Sequence, residues 1–213
     1  MISVERLPPL HVVTDDAVVG RADFLGVARR IAETSRADVA FHLRAPRASG
    51  RRMHDLATAL RSMTADAGAL LIVNDRADVA LAVDADGVQA GGRGLMPADA
   101  RRLIGPERLL GVSIHSADEA RVAKAGGADY LLAGTIWETQ SHPERRGAGI
   151  GLIREIAALG IPTIAIGGVT AERAAEARDA GAAGVAAIRG VWDAADPAAA
   201  VAEYLKHWKE VDG

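Results

Sequence analysis

The sequence predicts a closed (β/α)₈ barrel, the TIM-barrel fold. Short apolar runs recur along the whole chain, and amphipathic stretches rich in alanine and arginine alternate with them. Continuous apolar runs are typical of parallel strands that are buried on both faces, with helices covering the sheet. Eight such units in 213 residues fit a closed barrel. An open, doubly wound sheet is the alternative.

The eight predicted strands are Leu10–Val13, Val39–Leu43, Ala69–Val73, Gly87–Gln89, Leu109–Val112, Tyr130–Ala133, Thr163–Ile166 and Val185–Ile188. The predicted helices between them include Ala98–Leu103, Ala117–Ala125, Leu152–Leu159 and Ala171–Ala180. Tight loops with glycine or Ala-Asp lead from helices back into strands, which marks the stabilising face of a barrel, so function is expected at the opposite strand ends. We expect one domain over residues 1–213, with its barrel core at about 10–205.

Composition excludes several classes of function. A net charge of −3, with both signs spread along the chain, argues against a nucleic-acid-binding protein. The absence of cysteine excludes disulfides, thiolate nucleophiles and most zinc sites. The N-terminal stretch lacks the apolar region of a signal peptide, and no run approaches the ~20 apolar residues of a membrane span. We therefore expect a cytoplasmic protein with no nucleic-acid or membrane partner, and the sequence leaves a homo-oligomer open.

The last two predicted strands both end in glycine. One continues into Gly167-Gly168-Val169-Thr170, and the other into Ile188-Arg189-Gly190. Barrels of this class often bind phosphate after the seventh and eighth strands, where backbone N–H groups point outward. The predicted phosphate-binding residues are therefore Gly167, Gly168, Ile188, Arg189 and Gly190.

Polar side chains follow the other predicted strands, and in a barrel they converge on one pocket. An arginine at this position, Arg44, suits bidentate pairing with a carboxylate. The imidazole of His115 gains and loses a proton near neutral pH, which suits acid–base catalysis. The predicted substrate-binding residues are His42, Arg44, Asn74, Gln89, Ser113, Thr139, Ser141 and His142.

Five motifs resemble the thiamine-phosphate synthase superfamily in their order along the chain. They are Ile72-Val73-Asn74-Asp75-Arg76, Ala85-Asp86-Gly87-Val88-Gln89, Gly111-Val112-Ser113-Ile114-His115-Ser116, Gly134-Thr135-Ile136-Trp137-Glu138-Thr139 and Ile166-Gly167-Gly168-Val169-Thr170. The resemblance covers roughly residues 10 to 205 and implies a small phosphorylated thiazole as the partner. The superfamily has two enzymatic branches. A synthase couples a pyrimidine diphosphate to a thiazole phosphate, and a tautomerase aromatises a thiazole carboxylate phosphate.

The chain departs from the synthase branch where diphosphate and Mg²⁺ would bind. Where synthases resemble Gln-Phe-Arg-Glu-Lys, this chain reads His42-Leu43-Arg44-Ala45-Pro46. The turn that carries the second metal aspartate reads Arg93-Gly94-Leu95-Met96-Pro97, and the Thr-x-Thr-Lys motif reads Thr139-Gln140-Ser141-His142. One metal aspartate is matched, by Asp75. The resemblance therefore implies no cofactor, and Mg²⁺ at Asp75 only if the chain is a synthase.

Other motifs resemble the tautomerase branch, among them Ser113-Ile114-His115-Ser116, Val88-Gln89 and Trp137-Glu138-Thr139. From them we predict a thiazole tautomerase, an isomerase in which His115 is the catalytic acid and base. Two alternatives stay open. The chain is a thiamine-phosphate synthase, which is a transferase, or it is a non-catalytic regulator that binds a phosphorylated ligand.

Overall fold

The computed structural model describes residues 7–92, 94–139 and 146–210. Its strands are β1 (Leu10–Val13), β2 (Val39–Leu43), β3 (Leu70–Asn74), β4 (Gly87–Ala90), β5 (Leu109–Ile114), β6 (Tyr130–Gly134), β7 (Thr163–Ile166) and β8 (Gly184–Ala187). Neighbouring strands pair in parallel in chain order, and β8 pairs with β1, which closes the barrel. The predicted (β/α)₈ fold is confirmed, and each predicted apolar run corresponds to one strand.

Helices follow the strands on the outside of the barrel. They are α1 (Asp16–Val19), α2 (Phe24–Ser35), α3 (Gly50–Ala67), α4 (Ala77–Ala82), α5 (Pro97–Ile104), α6 (Ala117–Ala125), α7 (Ile150–Ala157), α8 (Ala171–Asp179), α9 (Arg189–Trp192) and α10 (Pro197–Lys209). The short α9 and the long α10 both follow β8, so α9 starts at the strand end and α10 covers the outside. Among the described helices, none is long and apolar enough to cross a membrane.

Alternation along each strand separates two hydrophobic cores. Along β5, Leu109 belongs to the core inside the barrel, whereas Leu110 and Val112 belong to the core between sheet and helices. This two-residue period is the pleat of any strand. The inner core consists of Val13, Ala40, Ile72, Leu109, Tyr130, Leu132, Ile164 and Ala186. A barrel interior packed in this way is a filled core with its ligand site at one end.

Two loops that lead into strands carry equivalent aspartates. Asp86 precedes β4 and accepts a hydrogen bond from the backbone N–H of Leu71 at 2.8 Å. Asp129 precedes β6 and accepts one from the N–H of Leu110 at 2.7 Å. Arginine side chains pair with both carboxylates, Arg61 with Asp86 and Arg101 with Asp129. Each aspartate therefore joins its own loop to the start of the preceding strand.

We expect Asp129→Ala to lower the free energy of unfolding by about 1–3 kcal/mol, because the buried N–H of Leu110 loses its acceptor and Arg101 loses its partner. Urea unfolding followed by circular dichroism measures the change. The control is Asp118→Ala, which removes a 92% exposed carboxylate paired with Arg121 and is expected to cost about 0.5 kcal/mol or less. Equal losses in the two variants would contradict the bracing role of Asp129.

Candidate active site

A cavity of about 740 Å³ opens at the carboxyl ends of the strands. Its apolar walls come from inward-facing residues, namely Val13, Leu132, Ile166 and Ala186. The volume lies within the range of small-molecule sites. This is also the end at which (β/α)₈ barrels carry their active sites. The cavity is therefore the candidate active site.

Most of the predicted site residues that the structure describes line this cavity. They are Arg44, Asn74, Ser113, His115, Thr139, Gly167, Gly168, Ile188, Arg189 and Gly190. Two predicted residues, His42 and Gln89, lie deeper in the barrel and are not part of the lining. Ser141 and His142 fall outside the described residues. Further lining residues that the sequence did not single out are Glu172, Arg173, Glu203 and Tyr204.

His42 lies inside the barrel, and the prediction that it contacts substrate is not supported by its position. Arg44 and His42 are two residues apart, so both face inward but His42 sits one layer below the cavity mouth. Nε2 of His42 lies 2.8 Å from Nδ1 of His11, and both side chains are fully buried. Burial lowers the pKa of His11 to about 4. Burial and the neighbouring His11 imidazole hold the pKa of His42 well below its usual value, so the pair is neutral at pH 7.

Gln89 also lies below the cavity and contacts a side chain that lines it, Ser113. Its side-chain amide donates a hydrogen bond to the hydroxyl of Ser113 at 3.0 Å. Gln89 is 1% exposed, whereas Ser113 is partly exposed and lines the cavity. The structure therefore gives Gln89 the position of a support for Ser113.

Arg44 is fixed at the mouth of the cavity by β1. Its backbone N–H donates to the hydroxyl of Thr14 at 2.9 Å, and that hydroxyl lies 2.9 Å from the carbonyl of Arg44. Thr14 is fully buried at the end of β1. The backbone is thus held while the guanidinium reaches the cavity. A positive group placed here suits an anionic ligand.

The Gly167-Gly168 turn after β7 is shaped by close approach of the loop after β6. Both glycines have left-handed backbones, with φ of +95° at Gly167 and +65° at Gly168. A Cβ on Gly168 would lie 2.5 Å from the carbonyl oxygen of Glu138. The N–H of Trp137 donates to the carbonyl of Gly167 at 2.9 Å, which holds the two loops together. Only glycine combines this backbone with this contact.

Tyr204 of α10 joins the turns after β7 and β8. Its hydroxyl donates to the carbonyl of Val169 at 2.8 Å. A Cβ on Gly190 would lie 2.2 Å from that hydroxyl, so a larger residue there would displace the Tyr204 side chain. Burial raises the pKa of Tyr204 to about 12, which keeps the hydroxyl a donor at neutral pH. Sequence patterns do not indicate this contact, because Tyr204 lies on a helix and not at a strand end.

Arg173 supports the same glycine turn from the first helical turn of α8. Its guanidinium donates to the carbonyl of Gly168 at 2.6 Å. It also lies over the ring of Trp137, 5.3 Å from the ring centroid. These contacts hold the Gly167-Gly168 turn in place at the cavity, which both glycines line.

His115 lies on the rim of the cavity next to the start of α6. Its backbone N–H donates to Oε2 of Glu119 at 2.6 Å, and its Nδ1 lies 3.3 Å from the same oxygen. Ser116 accepts from the N–H of Glu119 at 3.2 Å. This exchange of hydrogen bonds is a variant of the capping box that starts a helix. The Ser-x-x-Glu spacing after His115 thus has a local structural reason.

Asp75 is the one residue that the resemblance offers as a metal ligand, and its surroundings do not fit that role. Its backbone is left-handed, with φ of +58°, and Oδ1 accepts a hydrogen bond from the N–H of Gly91 at 2.8 Å. A Cβ on Gly94 would lie 2.9 Å from the same oxygen. An acidic side chain at position 94 would therefore lie next to Asp75, but glycine supplies no second carboxylate there. No group of three or more potential ligands occurs within 7–92, 94–139 and 146–210. The residues present therefore do not fit Mg²⁺ held by protein carboxylates.

The fold and the cavity define a barrel protein with a small-molecule site at its strand ends. Residues 10–191 match the family model described as thiamine monophosphate synthase. The thiamine-phosphate synthase of Moorella thermoacetica is 48% identical over 76% of this chain and 78% of its own length. That of Desulfitobacterium hafniense is 36% identical over 94% of this chain and 97% of its own length. The chain belongs to the thiamine-phosphate synthase family.

A solved structure extends the similarity to three dimensions. The thiamine phosphate pyrophosphorylase from Pyrococcus furiosus superposes with a TM-score of 0.85, at 34% identity, and the match covers 99% of this chain and 100% of that one. The likeness therefore includes the whole barrel and the segments around its cavity.

The prediction of a thiazole tautomerase is wrong. Relatives that match 76% and 94% of the chain are named thiamine-phosphate synthase, and the matching structure is named thiamine phosphate pyrophosphorylase. The tautomerase interpretation depended on the departures from the synthase pattern and on three short motifs, those at His115, Val88-Gln89 and Trp137-Glu138-Thr139. For the motif at His115, the contacts of Glu119 show that its spacing starts a helix. The role predicted for His115 as catalytic acid and base belonged to the tautomerase reaction.

We expect Gly168→Ala to weaken the binding of inorganic phosphate at least tenfold, because the added methyl group would push the turn away from the carbonyl of Glu138. Protection against thermal unfolding by phosphate measures the loss. Gly149→Ala is the matched control, since Gly149 has φ of +76° with nothing within 4 Å of its Cβ position. Gly149→Ala should lose about 1–2 kcal/mol of stability from the left-handed backbone, and Gly168→Ala should lose more because its methyl group also meets the Glu138 carbonyl. Equal phosphate protection in both would count against the glycine turn as the anion site.

Proposed function

We propose that the chain is a thiamine-phosphate synthase, a transferase that joins a pyrimidine diphosphate to a thiazole phosphate. The bond between the pyrimidine methylene carbon and the diphosphate oxygen breaks, and that carbon forms a bond to the thiazole nitrogen. Thiamine phosphate and diphosphate are the products. The observation that carries this proposal is the 36% identity over 94% of the chain to a protein of that name, together with the similar barrel of the Pyrococcus protein.

The cavity supports the proposal because its two sides differ chemically. The turns after β7 and β8 offer backbone groups at Gly167, Gly168 and Gly190, which suit the phosphate of the thiazole. The ends of β3 and β5 offer the side chains of Asn74 and Ser113, which suit hydrogen bonding to a heteroaromatic ring. One cavity of about 740 Å³ can hold both substrates side by side.

The same walls suit a reaction in which positive charge develops on the pyrimidine methylene group as diphosphate leaves. Water would capture such a centre, and the apolar side chains of Val13, Leu132 and Ile166 reduce access of water to it. Arg44 brings positive charge toward the departing diphosphate. Arg189 lines the cavity beside the phosphate turns and adds a second cation there.

The residues around Asp75 do not fit a metal held by the protein, so none of these roles depends on one. Members of the family bind a diphosphate, and Mg²⁺ is often bound mainly through substrate phosphates. The coupling reaction is therefore measured both with Mg²⁺ and with a chelator.

The test is formation of thiamine phosphate from hydroxymethylpyrimidine diphosphate and thiazole phosphate. We expect turnover by the purified protein, and we expect Arg44→Gln to lower kcat/KM about 100-fold or more because it removes a cation at the leaving group. Arg47→Gln is the control on the same loop. The Arg47 side chain is 90% exposed and 4.0 Å from Asp16, so this variant should keep activity within about twofold.

Two results would contradict the proposal. One is binding of thiazole phosphate without any coupling, which would indicate the non-catalytic regulator. The other is an equal loss of activity in the Arg44 and Arg47 variants, which would remove Arg44 from the reaction.

A further inference from the structure

Two polar atoms lie close to the same point inside the barrel beside Gly111, directly below the cavity. Oε1 of Gln89 and the hydroxyl of Tyr130 lie 2.2 Å and 2.4 Å from the point where a Cβ on Gly111 would sit. Both atoms are buried, and neither has a hydrogen-bond partner within the described parts of the chain. Gly111 leaves the space in which they approach each other. Buried polar atoms in native proteins nearly always find a partner.

The two atoms are chemically complementary. Burial raises the pKa of the Tyr130 phenol far above its usual value, so the phenol keeps its proton and can donate it. The amide oxygen of Gln89 can only accept. Across the same amide, Nε2 of Gln89 donates to the hydroxyl oxygen of Ser113 at 3.0 Å. The three side chains therefore form one line from the barrel interior to the cavity.

We propose that Tyr130 is a positioning residue that sets the direction of the Ser113 hydroxyl through Gln89. The two atoms make no hydrogen bond in the structure, but both approach the same point beside Gly111. On this proposal the phenol O–H turns to donate to Oε1 of Gln89, which fixes the orientation of the amide. The amide N–H then occupies a lone pair of Ser113, so the Ser113 proton is left to point into the cavity. Ser113 is thereby a donor toward an acceptor atom of the ligand.

The reverse orientation of Gln89 would have the opposite effect. Its oxygen would face Ser113 and accept a hydrogen bond from the hydroxyl. Only the lone pairs of Ser113 would then face the cavity. Tyr130 thus selects which hydrogen-bonding group the ligand meets, although it touches no ligand itself. On the proposed function, on which this assignment of the ligand rests, the acceptor is an unprotonated ring nitrogen of the pyrimidine substrate.

A double-mutant cycle on the coupling reaction tests whether Tyr130 acts through Ser113. We expect Tyr130→Phe to raise KM for the pyrimidine diphosphate about 10-fold, with kcat and KM for thiazole phosphate changed less than about twofold. Ser113→Ala should raise the same KM at least as much. The KM of the double variant should be no higher than that of Ser113→Ala alone, because Tyr130 then has no Ser113 hydroxyl to orient. Additive losses, or an unchanged KM in Tyr130→Phe, would overturn the proposal.

A matched control separates positioning from stability. Thr163→Val removes another buried hydroxyl, one that donates to the carbonyl of Ile161 at the start of β7, far from the strand ends that form the cavity. We expect it to lower thermal stability as Tyr130→Phe does while leaving every KM unchanged. An equal KM increase in this control would show that loss of stability alone raises KM in Tyr130→Phe, and it would overturn the proposal. If Tyr130→Phe does not fold, Gln89→Met breaks the same line and takes its place.

A spectroscopic readout keeps the inference testable apart from the proposed function. The chain has two glutamines, Gln89 and Gln140, and one asparagine, Asn74, so the side-chain NH₂ signals of a ¹⁵N-labelled sample are few and assignable. We expect slow hydrogen exchange at the Gln89 amide in the wild-type protein and in Thr163→Val, and fast exchange in Tyr130→Phe. No difference between the two variants would overturn the role of Tyr130. A wild-type protein that shows this exchange pattern but no coupling would contradict the proposed function alone.

Discussion

Closure of the barrel stacks inward-facing side chains in layers, and this spacing decides which polar groups can reach a ligand. Two residues along a strand advance about 6.6 Å and return to the same face. Arg44 therefore lies at the cavity mouth while His42 lies a layer below, and Ser113 faces the cavity above Gly111. The layer at the mouth lines the cavity. The layer below it packs under the first and contacts it, as Gln89 contacts Ser113.

The layer below the cavity mouth contains the polar side chains of His11, His42 and Gln89, which is unusual for the centre of a barrel. The histidines of this layer must be uncharged in the folded protein. The buried pair His11 and His42 is neutral, since burial holds the pKa of both below the ordinary value of 6.5. The unfolded chain binds protons at these residues more readily than the folded one. The folded protein is therefore destabilised by protonation of these two histidines. Its free energy of unfolding is highest above about pH 6.5 as far as they are concerned, and it falls as pH decreases from there toward the folded pKa of about 4 at His11.

Sequence patterns predicted the barrel because each strand is one short apolar run between recognisable loops, and glycine marked the turns after β7 and β8. Positions at strand ends also identified Arg44, Asn74 and Ser113. The depth of a side chain in the barrel could not be inferred in the same way. A list of strand ends does not show that His42 lies below the cavity while Arg44 lies at its mouth. Tyr204 and Arg173 reach the site from helices, by contacts that depend on tertiary packing. The motifs that resemble the tautomerase branch misled, and the one around His115 did so because a capping arrangement and a catalytic histidine leave the same spacing.

The assignment of the cavity is tested most directly by a crystal structure of the protein grown with thiamine phosphate and diphosphate. We expect the phosphate of the thiazole part against the backbone of Gly167, Gly168 and Gly190, and the pyrimidine ring against Asn74 and Ser113. Diphosphate should lie on the Arg44 side of the cavity. Thiamine phosphate bound at any other place, or a reversed orientation with its phosphate at Arg44, would contradict this account of the site.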